Sequence, residues 1–238
     1  MTQTQQSPAT PRGRFVTFEG PEGAGKTTVL RAVAERLRAD GRAVVETREP
    51  GGTRTGERIR AILLDHDLGG LRPEAEAFLF CAARAELVAQ IIRPALANGC
   101  VVLCDRFTDS TLAYQGYGRG LDLAALRALN ALATGGLTPD RTLLFDLPVA
   151  EGLRRRHAAP DAITRLDAES VAFHERVAGG YRALATAEAG RWRVVDATQP
   201  IEEVLAATWE TLEERGTLVD ERFARPEGLS EKPPNTRP

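Results

Sequence analysis

The strongest constraint on the fold of this chain is a glycine-rich octapeptide at residues 20–27, with the sequence Gly-Pro-Glu-Gly-Ala-Gly-Lys-Thr. It follows a short run of β-branched and aromatic residues, 15–18, and precedes a segment, 27–39, whose apolar residues recur at helical spacing. A Gly-x4-Gly-Lys-Thr sequence between a strand and a helix is typical of loops that bind phosphate groups. Its glycines allow successive N–H groups to face an anion beside the positive end of the helix dipole. The octapeptide therefore predicts a nucleotide-binding α/β protein, but it does not identify a substrate.

Two side chains of this loop are suited to a magnesium nucleotide. Lys26 can place a positive charge on the outer phosphates, and the hydroxyl of Thr27 can bind Mg²⁺. Asp105, at the end of a later apolar run, is a second candidate metal ligand that would act through water. We predict ATP and Mg²⁺ as cofactors and a catalytic role for Lys26. The predicted contacts to ATP come from Gly20, Pro21, Glu22, Gly23, Ala24, Gly25, Lys26, Thr27 and Thr28.

The rest of the chain alternates short β-rich runs with longer helical patterns. We predict strands at 15–18, 43–46, 101–104, 142–145 and 192–195, helices at 27–39, 56–64, 73–96, 149–157, 169–189 and 201–214, and a helix-rich stretch at 110–133. Strands that are separated by helices require right-handed crossovers and form a parallel sheet. The expected fold is α/β, a three-layer P-loop NTPase-type fold with a five-stranded parallel sheet flanked by helices. Residues 14–215 would form this domain, between a disordered tail at 1–13 and a polar tail at 216–238.

Composition and charge narrow the possible partners. The formal net charge of −2 provides no overall basic field, so we expect neither a nucleic acid nor a membrane surface as partner. No run of eighteen or more apolar residues occurs, so we expect no transmembrane helix. The three cysteines, Cys81, Cys100 and Cys104, lie in apolar segments, which favours reduced thiols and a cytoplasmic location.

Further motifs point to a second ligand beside the nucleotide. Asp105-Arg106 ends an apolar strand, where ligands of open α/β sheets bind, although such a pair can also be a surface ion pair. Phe80 and Arg84, four residues apart on one helix, can stack on a base and bind a carbonyl or phosphate, although Phe80 alone is more simply explained by core packing. The basic segment from 154 to 167 is typical of a lid that closes over a transferring phosphoryl group, although some of its arginines can belong to a solvated face.

Taken in order, these segments resemble the thymidylate kinase family from about residue 14 to residue 214. The match is carried by Phe18-Glu19-Gly20, Glu22-Gly23-Ala24-Gly25-Lys26-Thr27-Thr28, Arg48-Glu49-Pro50-Gly51-Gly52-Thr53, Phe80-Cys81-Ala82-Ala83-Arg84, Asp105-Arg106-Phe107, Ser110-Thr111 and Ala113-Tyr114-Gln115-Gly116. The resemblance implies the reaction ATP + dTMP → ADP + dTDP, in dTTP biosynthesis. It also implies a homodimer, formed through long apolar helices such as 73–96.

The same resemblance implies roles for individual residues. Glu22 would accept from the sugar 3′-hydroxyl, Phe80 would stack on thymine and Arg84 would bind its carbonyl. Tyr114 would crowd the 2′ position and so favour deoxyribose. The remaining implied substrate contacts are Glu49, Arg60, Arg106, Ser110 and Gln115, and Arg106 would also be catalytic.

The position of the catalytic lid arginine is left open by the sequence. The phosphate loop carries no basic residue from Glu22 to Gly25, directly before Lys26. In this it resembles the bacterial type of the family, whose catalytic arginine lies in the lid. Arg156 and Arg165 are rival candidates, and we favour Arg156. Asp167 stands where the family often has a glutamate near the substrate.

Two other functions remain compatible with the motifs. One is another P-loop nucleotide or deoxynucleoside kinase, which would act on thymidine itself and would not require Arg60 and Arg106 as monophosphate clamps. The other is a non-catalytic switch that binds ATP without turnover. A GTPase is disfavoured, because the chain has no Asn-Lys-x-Asp sequence for base recognition.

Overall fold

The computed structural model describes residues 12–65, 68, 70–158 and 164–214, so nearly all of both predicted tails lies outside the described residues. The strands are β1 (Arg14–Glu19), β2 (Val44–Arg48), β3 (Val101–Asp105), β4 (Arg141–Asp146) and β5 (Trp192–Asp196). The helices are α1 (Lys26–Ala39), α2 (Arg54–Leu64), α3 (Pro73–Leu87), α4 (Arg93–Ala97), α5 (Thr108–Thr111), α6 (Leu123–Thr134), α7 (Val149–His157), α8 (Val171–Ala187) and α9 (Ile201–Glu213).

The strands form one parallel sheet with the order β2-β3-β1-β4-β5. Successive side chains of a strand point to opposite faces, and here each face is covered by helices. Val16 and Phe18 pack with α1 and α9, whereas Phe15 packs with the α3–α4 region on the other face. This arrangement confirms the predicted three-layer α/β fold and its five parallel strands.

Two of the predicted helical segments contain π-helical turns. The predicted helix at 73–96 consists of α3, a π-helical turn at Val88–Ile92, and α4. The helix-rich stretch at 110–133 consists of the end of α5, a π-helical segment, Leu112–Gly118, and α6, which begins after a short turn. A π-helical segment repeats over a longer period than 3.6 residues, so apolar spacing alone does not reveal it.

The π-helical segment is pressed against α8, at the back of the ligand-binding edge of the sheet. A Cβ atom added to Gly180 of α8 would lie 2.6 Å from the ring of Tyr117, so a glycine is required for this close approach. Tyr114 of the segment and Tyr181 of α8 meet edge to face, with ring centroids 6.3 Å apart. The Tyr181 hydroxyl reaches Glu19 at the end of β1, and the Tyr114 hydroxyl reaches Glu22 in the glycine-rich loop that follows.

In the part of the chain that the structure describes, none of the helices combines the length and hydropathy that crossing a membrane requires.

Candidate active site

The glycine-rich loop has backbone φ angles that would be strained in residues other than glycine. Gly20, Gly23 and Gly25 have φ angles of 140°, 70° and 80°, and α1 begins directly afterwards at Lys26. Left-handed φ angles of this kind favour glycine because it has no Cβ atom. The sequence therefore dictates both the shape of the loop and the helix N-terminus beside it, where anions bind.

Lys26 lies within this loop and is almost fully buried. Its ammonium group donates to the carbonyl oxygens of Gly20 at 3.0 Å and Pro21 at 2.7 Å. Burial, followed by the nearby positive charge of Arg106, lowers the pKa of Lys26 to about 8. A phosphate chain beside Lys26 would favour its charged form, so nucleotide binding and protonation of this lysine are coupled.

The predicted metal ligands meet at the entrance of α1. The Thr27 hydroxyl donates to Oδ2 of Asp105, although 78 residues separate them in sequence. A hydroxyl and a carboxylate, with water and phosphate oxygens to complete the shell, are the oxygen donors that Mg²⁺ prefers. The pair therefore fits a nucleotide-bound Mg²⁺. Among the described residues, no cluster of three or more His, Cys, Asp or Glu side chains forms an alternative metal site.

Helix α7 touches the phosphate loop backbone to backbone through two glycines. A Cβ atom at Gly23 would lie 2.0 Å from the carbonyl oxygen of Gly152, and one at Gly152 would lie 2.3 Å from the carbonyl oxygen of Glu22. Neither position tolerates a side chain without displacement of α7. This contact places the arginines at the end of α7 over the phosphate loop, and nothing in the octapeptide itself indicates that Gly152 is its partner.

Two neighbouring cavities lie where β1, β2 and β3 end. The first, here called the loop pocket, is lined by residues 22–28 of the phosphate loop together with Arg48, Asp105 and Arg155. The second, the inner pocket, is lined by Phe80, Ser110, Thr111, Tyr114 and Gln115 on one side and by Thr164, Leu166 and Asp167 on the other. Both cavities share five lining residues: Glu22, Glu49, Arg60, Arg106 and Arg156.

Three arginines, Arg60, Arg106 and Arg156, therefore stand where the two cavities meet. Such a concentration of guanidinium groups suits the phosphates of two ligands that approach each other from opposite sides. The two cavities thus adjoin at a junction that contains three arginines and two glutamates.

Arg106 has the most constrained geometry of these three arginines. Its φ angle is 69°, and it is the one non-glycine residue with a positive φ in the described part of the chain. Its Nη2 atom donates to both carboxylate oxygens of Glu22 at 3.0 Å, and Nη1 donates to Gly20 O and the Tyr181 hydroxyl. A left-handed conformation at a residue with a Cβ costs free energy, and such strain clusters at functional sites.

Glu22 is a carboxylate that stays ionised despite its position beside the phosphate loop. Burial alone raises its pKa, but the charges of Arg106 and Lys26 and a hydrogen bond from Tyr114 outweigh burial and lower the pKa to about 2. An anion beside a phosphate-binding loop would be repelled by ATP unless it is neutralised. The paired Glu22 can therefore accept a hydrogen bond from a ligand in the inner pocket.

The structure differs from the sequence analysis at Arg84, which was expected to contact a base. Arg84 is 1% exposed, and each of its three nitrogens already has a protein partner. Nε donates to Glu49 Oε2 at 2.8 Å, Nη1 to Asn130 Oδ1 at 2.6 Å and Nη2 to the Phe107 carbonyl at 3.1 Å. Among the described residues Arg84 is absent from the lining of both pockets. Arg84 instead forms an ion pair with Glu49, because the charge of a buried guanidinium must be balanced by a carboxylate.

The two rival lid arginines occupy different environments. Arg156 donates from Nε and Nη2 to the two oxygens of Asp167, each at 3.0 Å, and lines both cavities. Arg165 instead donates to the Leu63 carbonyl and to the fully buried Glu76, and in the described chain it is part of neither lining. Residues 159–163 of the predicted lid lie outside the described residues.

The other predicted residues are distributed between the two cavities. Phe80, Ser110, Tyr114 and Gln115 line the inner pocket, and Ala24, Gly25, Thr27 and Thr28 line the loop pocket. Gly20 and Pro21, whose carbonyl oxygens face Lys26, are outside both linings as far as the structure describes the chain.

Three residues near the site, Thr111, Glu19 and Tyr181, are given no role by the sequence. The hydroxyl of Thr111 is buried without a hydrogen-bond partner among the described residues, and Thr111 lines the inner pocket. Glu19 and Tyr181 form a buried network beneath Arg106. Burial, followed by the charge of Asp109, raises the pKa of Glu19 to about 7. The sequence signals for Glu19 are its place in the Phe18-Glu19-Gly20 segment and a carboxylate at the end of a buried strand.

Fold and site together define a P-loop phosphotransferase with two adjoining cavities at the phosphate loop. The sequence model of the family described as thymidylate kinase matches residues 18–207. The chain is 59% identical over 200 residues to a thymidylate kinase of Thermomicrobium roseum, which covers 84% of this chain and 94% of that protein. It is 58% identical over 197 residues to a thymidylate kinase of Desulfovibrio desulfuricans, with 80% and 91% covered.

A solved structure supports the same assignment. The crystal structure of thymidylate kinase from Ehrlichia chaffeensis is similar to this chain with a TM-score of 0.69 and 35% sequence identity. The similarity covers 85% of this chain and 99% of that one. The chain belongs to the thymidylate kinase family, as the family match and the two relatives show.

The contact between Gly23 and Gly152 generates the first prediction. Gly152→Ala should displace α7 from the phosphate loop and raise the KM for ATP by at least about tenfold, because small displacements of charged groups at such sites are costly. The matched control is Gly179→Ala in α8, where an added Cβ meets open space and helix propensity changes in the same direction. Thermal unfolding and ATP titrations of both variants check this. Equal behaviour of the two variants would contradict it.

Proposed function

We propose that this chain transfers the γ-phosphoryl group of ATP to dTMP, giving ADP and dTDP, with Mg²⁺ bound to the nucleotide. The observation that carries the proposal is the positively charged junction formed by Arg60, Arg106 and Arg156, which line both cavities. A protein that only binds ATP has no use for a second, arginine-lined cavity beside the phosphate loop. A kinase for an uncharged nucleoside would not require these arginines on the acceptor side.

In this proposal the loop pocket binds ATP and the inner pocket binds dTMP. Phe80 is half-buried on the wall of the inner pocket, where its ring can stack on thymine. Thr111, whose buried hydroxyl has no partner among the described residues, lies on the same wall, as does Gln115, whose amide donates to Glu76 at 2.8 Å. Glu22 and Tyr114, joined by a hydrogen bond of 2.6 Å, lie at the boundary with the loop pocket, where the sugar would sit.

The chemistry requires positioning and charge neutralisation more than proton transfer. The attacking oxygen of a monophosphate is already anionic, so no strong general base is needed. Arg60, Arg106 and Lys26 stabilise the negative charge on the phosphates, because all three are positioned along the walls of the two cavities. Mg²⁺, for which Thr27 and Asp105 are the proposed ligands, supplies further charge neutralisation when it is bound.

The acceptor specificity tests this proposal directly. ADP release should be measured with ATP, Mg²⁺ and each of dTMP, dUMP, UMP, dCMP, AMP and thymidine. The highest kcat/KM is expected for dTMP, because the inner pocket combines a ring for stacking with an arginine cluster for the phosphate.

The other results identify the alternatives. Turnover strongest with thymidine would support a nucleoside kinase and contradict the role of the arginine junction. Turnover strongest with another monophosphate would retain the kinase and contradict the roles of Phe80 and Thr111. ATP binding without ADP release with any acceptor would support a switch.

We further propose that Arg156 is the catalytic arginine and that the enzyme is of the lid-arginine type. Arg156→Ala should lower kcat by about 10³-fold, the effect of removing an arginine that stabilises a transferring phosphoryl group. Arg165→Ala should instead lower the melting temperature, because it leaves the buried carboxylate of Glu76 with one partner fewer.

The matched control for these lid variants is Arg154→Ala. Arg154 is 71% exposed and pairs with Glu151 on its own helix, so both kcat and melting temperature should stay unchanged. A larger loss of kcat for Arg165→Ala than for Arg156→Ala would reverse the assignment.

We also propose that the protein is a homodimer that joins through α3 and α6. Phe78 of α3 and Leu132 of α6 are 61% and 82% exposed, and an apolar groove lined by Ala77, Leu126 and Leu129 lies between these helices. Large apolar side chains exposed together mark interaction surfaces. A second copy of the chain is the partner that the family resemblance favours.

Leu132→Glu should therefore produce monomers in sedimentation velocity experiments, because it places a charge in the proposed interface. Val171→Glu is the matched control, since Val171 is 58% exposed at the start of α8, away from the groove. Unaltered sedimentation of Leu132→Glu would contradict this interface.

A cytoplasmic location is proposed on the basis of the three cysteines, Cys81, Cys100 and Cys104, all of which carry free thiols. Residues 14–215 are proposed to act as one catalytic domain, since all five strands belong to a single sheet.

A further inference from the structure

A buried carboxylate, Glu19, lies directly beneath the arginine junction. It is the last residue of β1 and is fully buried. In the described part of the chain it lines neither the loop pocket nor the inner pocket, so it does not touch either proposed ligand. A carboxylate at the end of a core strand is costly to bury and requires a compensating function or a complete set of hydrogen bonds.

One oxygen of Glu19 fixes the backbone immediately after Arg106. The Phe107 N–H donates to Glu19 Oε1 at 2.7 Å, while the Arg106 N–H donates to Phe18 O at 3.0 Å. The backbone N–H groups of Arg106 and of the next residue are thus both hydrogen-bonded to the end of β1. Its left-handed φ of 69° is unfavourable for a residue with a Cβ, so these two anchors help to hold it.

The other oxygen of Glu19 organises the side chains that hold the guanidinium. The hydroxyls of Ser110 and Tyr181 both donate to Oε2, at 2.6 and 2.9 Å. Because these hydroxyl protons are directed to Glu19, their oxygens can accept from Arg106 Nη1, which lies 3.3 Å from Ser110 Oγ and 2.9 Å from Tyr181 OH.

We propose that Glu19 is a positioning residue that sets both the backbone conformation and the guanidinium orientation of Arg106 for binding of the acceptor phosphate. The inference rests on the proposed function, since it assigns Glu19 to the acceptor side of that reaction. Arg106 also lines the loop pocket, but the donor nucleotide has Lys26 and the loop glycines as further partners, and none of these hydrogen-bonds to the Glu19 side chain. Loss of the Glu19 carboxylate should therefore affect the acceptor selectively.

Glu19→Gln is the most suitable variant, because it keeps the volume and the acceptor for Phe107 N–H but replaces an accepting oxygen by an amide that donates. The amide would direct its protons at Ser110 and Tyr181 and disturb the orientation of both hydroxyls. We expect the KM for dTMP to rise about tenfold and the KM for ATP to change by less than about twofold, as removal of hydrogen bonds in a charged network implies.

Tyr181→Phe provides a second, milder variant that keeps Glu19 and removes one of the two hydroxyls. It should raise the KM for dTMP about threefold, because Arg106 loses one of its acceptors. Tyr117→Phe is the matched control. Tyr117 lies on the segment that packs against α8, and within the described structure its hydroxyl has no hydrogen-bond partner, so its KM values should not change.

A double-mutant cycle separates positioning from a general structural role. Arg106→Lys keeps the charge but not the planar fork, so dTMP binding is weakened without being abolished. If Glu19 acts through the Arg106 guanidinium, Glu19→Gln should add less than about twofold to the KM for dTMP in the Arg106→Lys background. Melting temperatures of all variants are measured in the same series.

The outcomes distinguish this inference from the proposed function. Three results would overturn the positioning role: an unchanged KM for dTMP in Glu19→Gln, a full additional increase of that KM in the Arg106→Lys background, or a parallel rise of the KM values for dTMP and ATP. None of these results would contradict dTMP kinase activity, which is measured with the unmodified chain. Absence of dTMP turnover by the unmodified chain would overturn the proposed function and this inference together.

Discussion

The Arg106 N–H donates to the Phe18 carbonyl at 3.0 Å and extends the pairing of β1 with β3 one residue beyond the end of β3. The site depends on this extension. The parallel register sets Phe18 opposite Asp105, so the residues that follow both strands, the phosphate loop and Arg106, emerge side by side. The Glu22–Arg106 and Thr27–Asp105 contacts are consequences of that register.

Charge pairing is the second organising feature of the site. Arg106 is matched by Glu22, Arg156 by Asp167, and Arg84 by Glu49. Each pair offsets the cost of removing a guanidinium from water in a chain whose net charge is only −2. The pairs differ in accessibility: Arg84 is completely enclosed, whereas Arg106 and Arg156 keep part of their surface toward the cavities. Accessible guanidinium groups held by carboxylates are preorganised for phosphate without reorganisation of the protein.

The strands and most helix boundaries can be predicted from the sequence to within a few residues, because apolar spacing and glycine positions are local properties. The π-helical segment within the helix-rich stretch at 110–133 cannot be predicted in this way. The same holds for the partners of Arg84, which the sequence predicts to face a ligand. Four-residue spacing correctly placed Arg84 on the same helix as Phe80, but it did not indicate that Glu49 and Asn130 would occupy the guanidinium.

The sequence by itself determined the phosphate loop, the parallel α/β architecture and the family, since these depend on short patterns in which each residue is interpreted with its neighbours along the chain. Only the tertiary structure decided which arginines face the cavities, and it also revealed Gly152 and Glu19. Those assignments depend on partners that are distant in sequence: Glu19 and Tyr181 are 162 residues apart, and Arg84 and Glu49 are 35 apart. The direction of a polar side chain depends on the group that neutralises its charge or accepts its hydrogen bond. That group comes close only when the chain has folded.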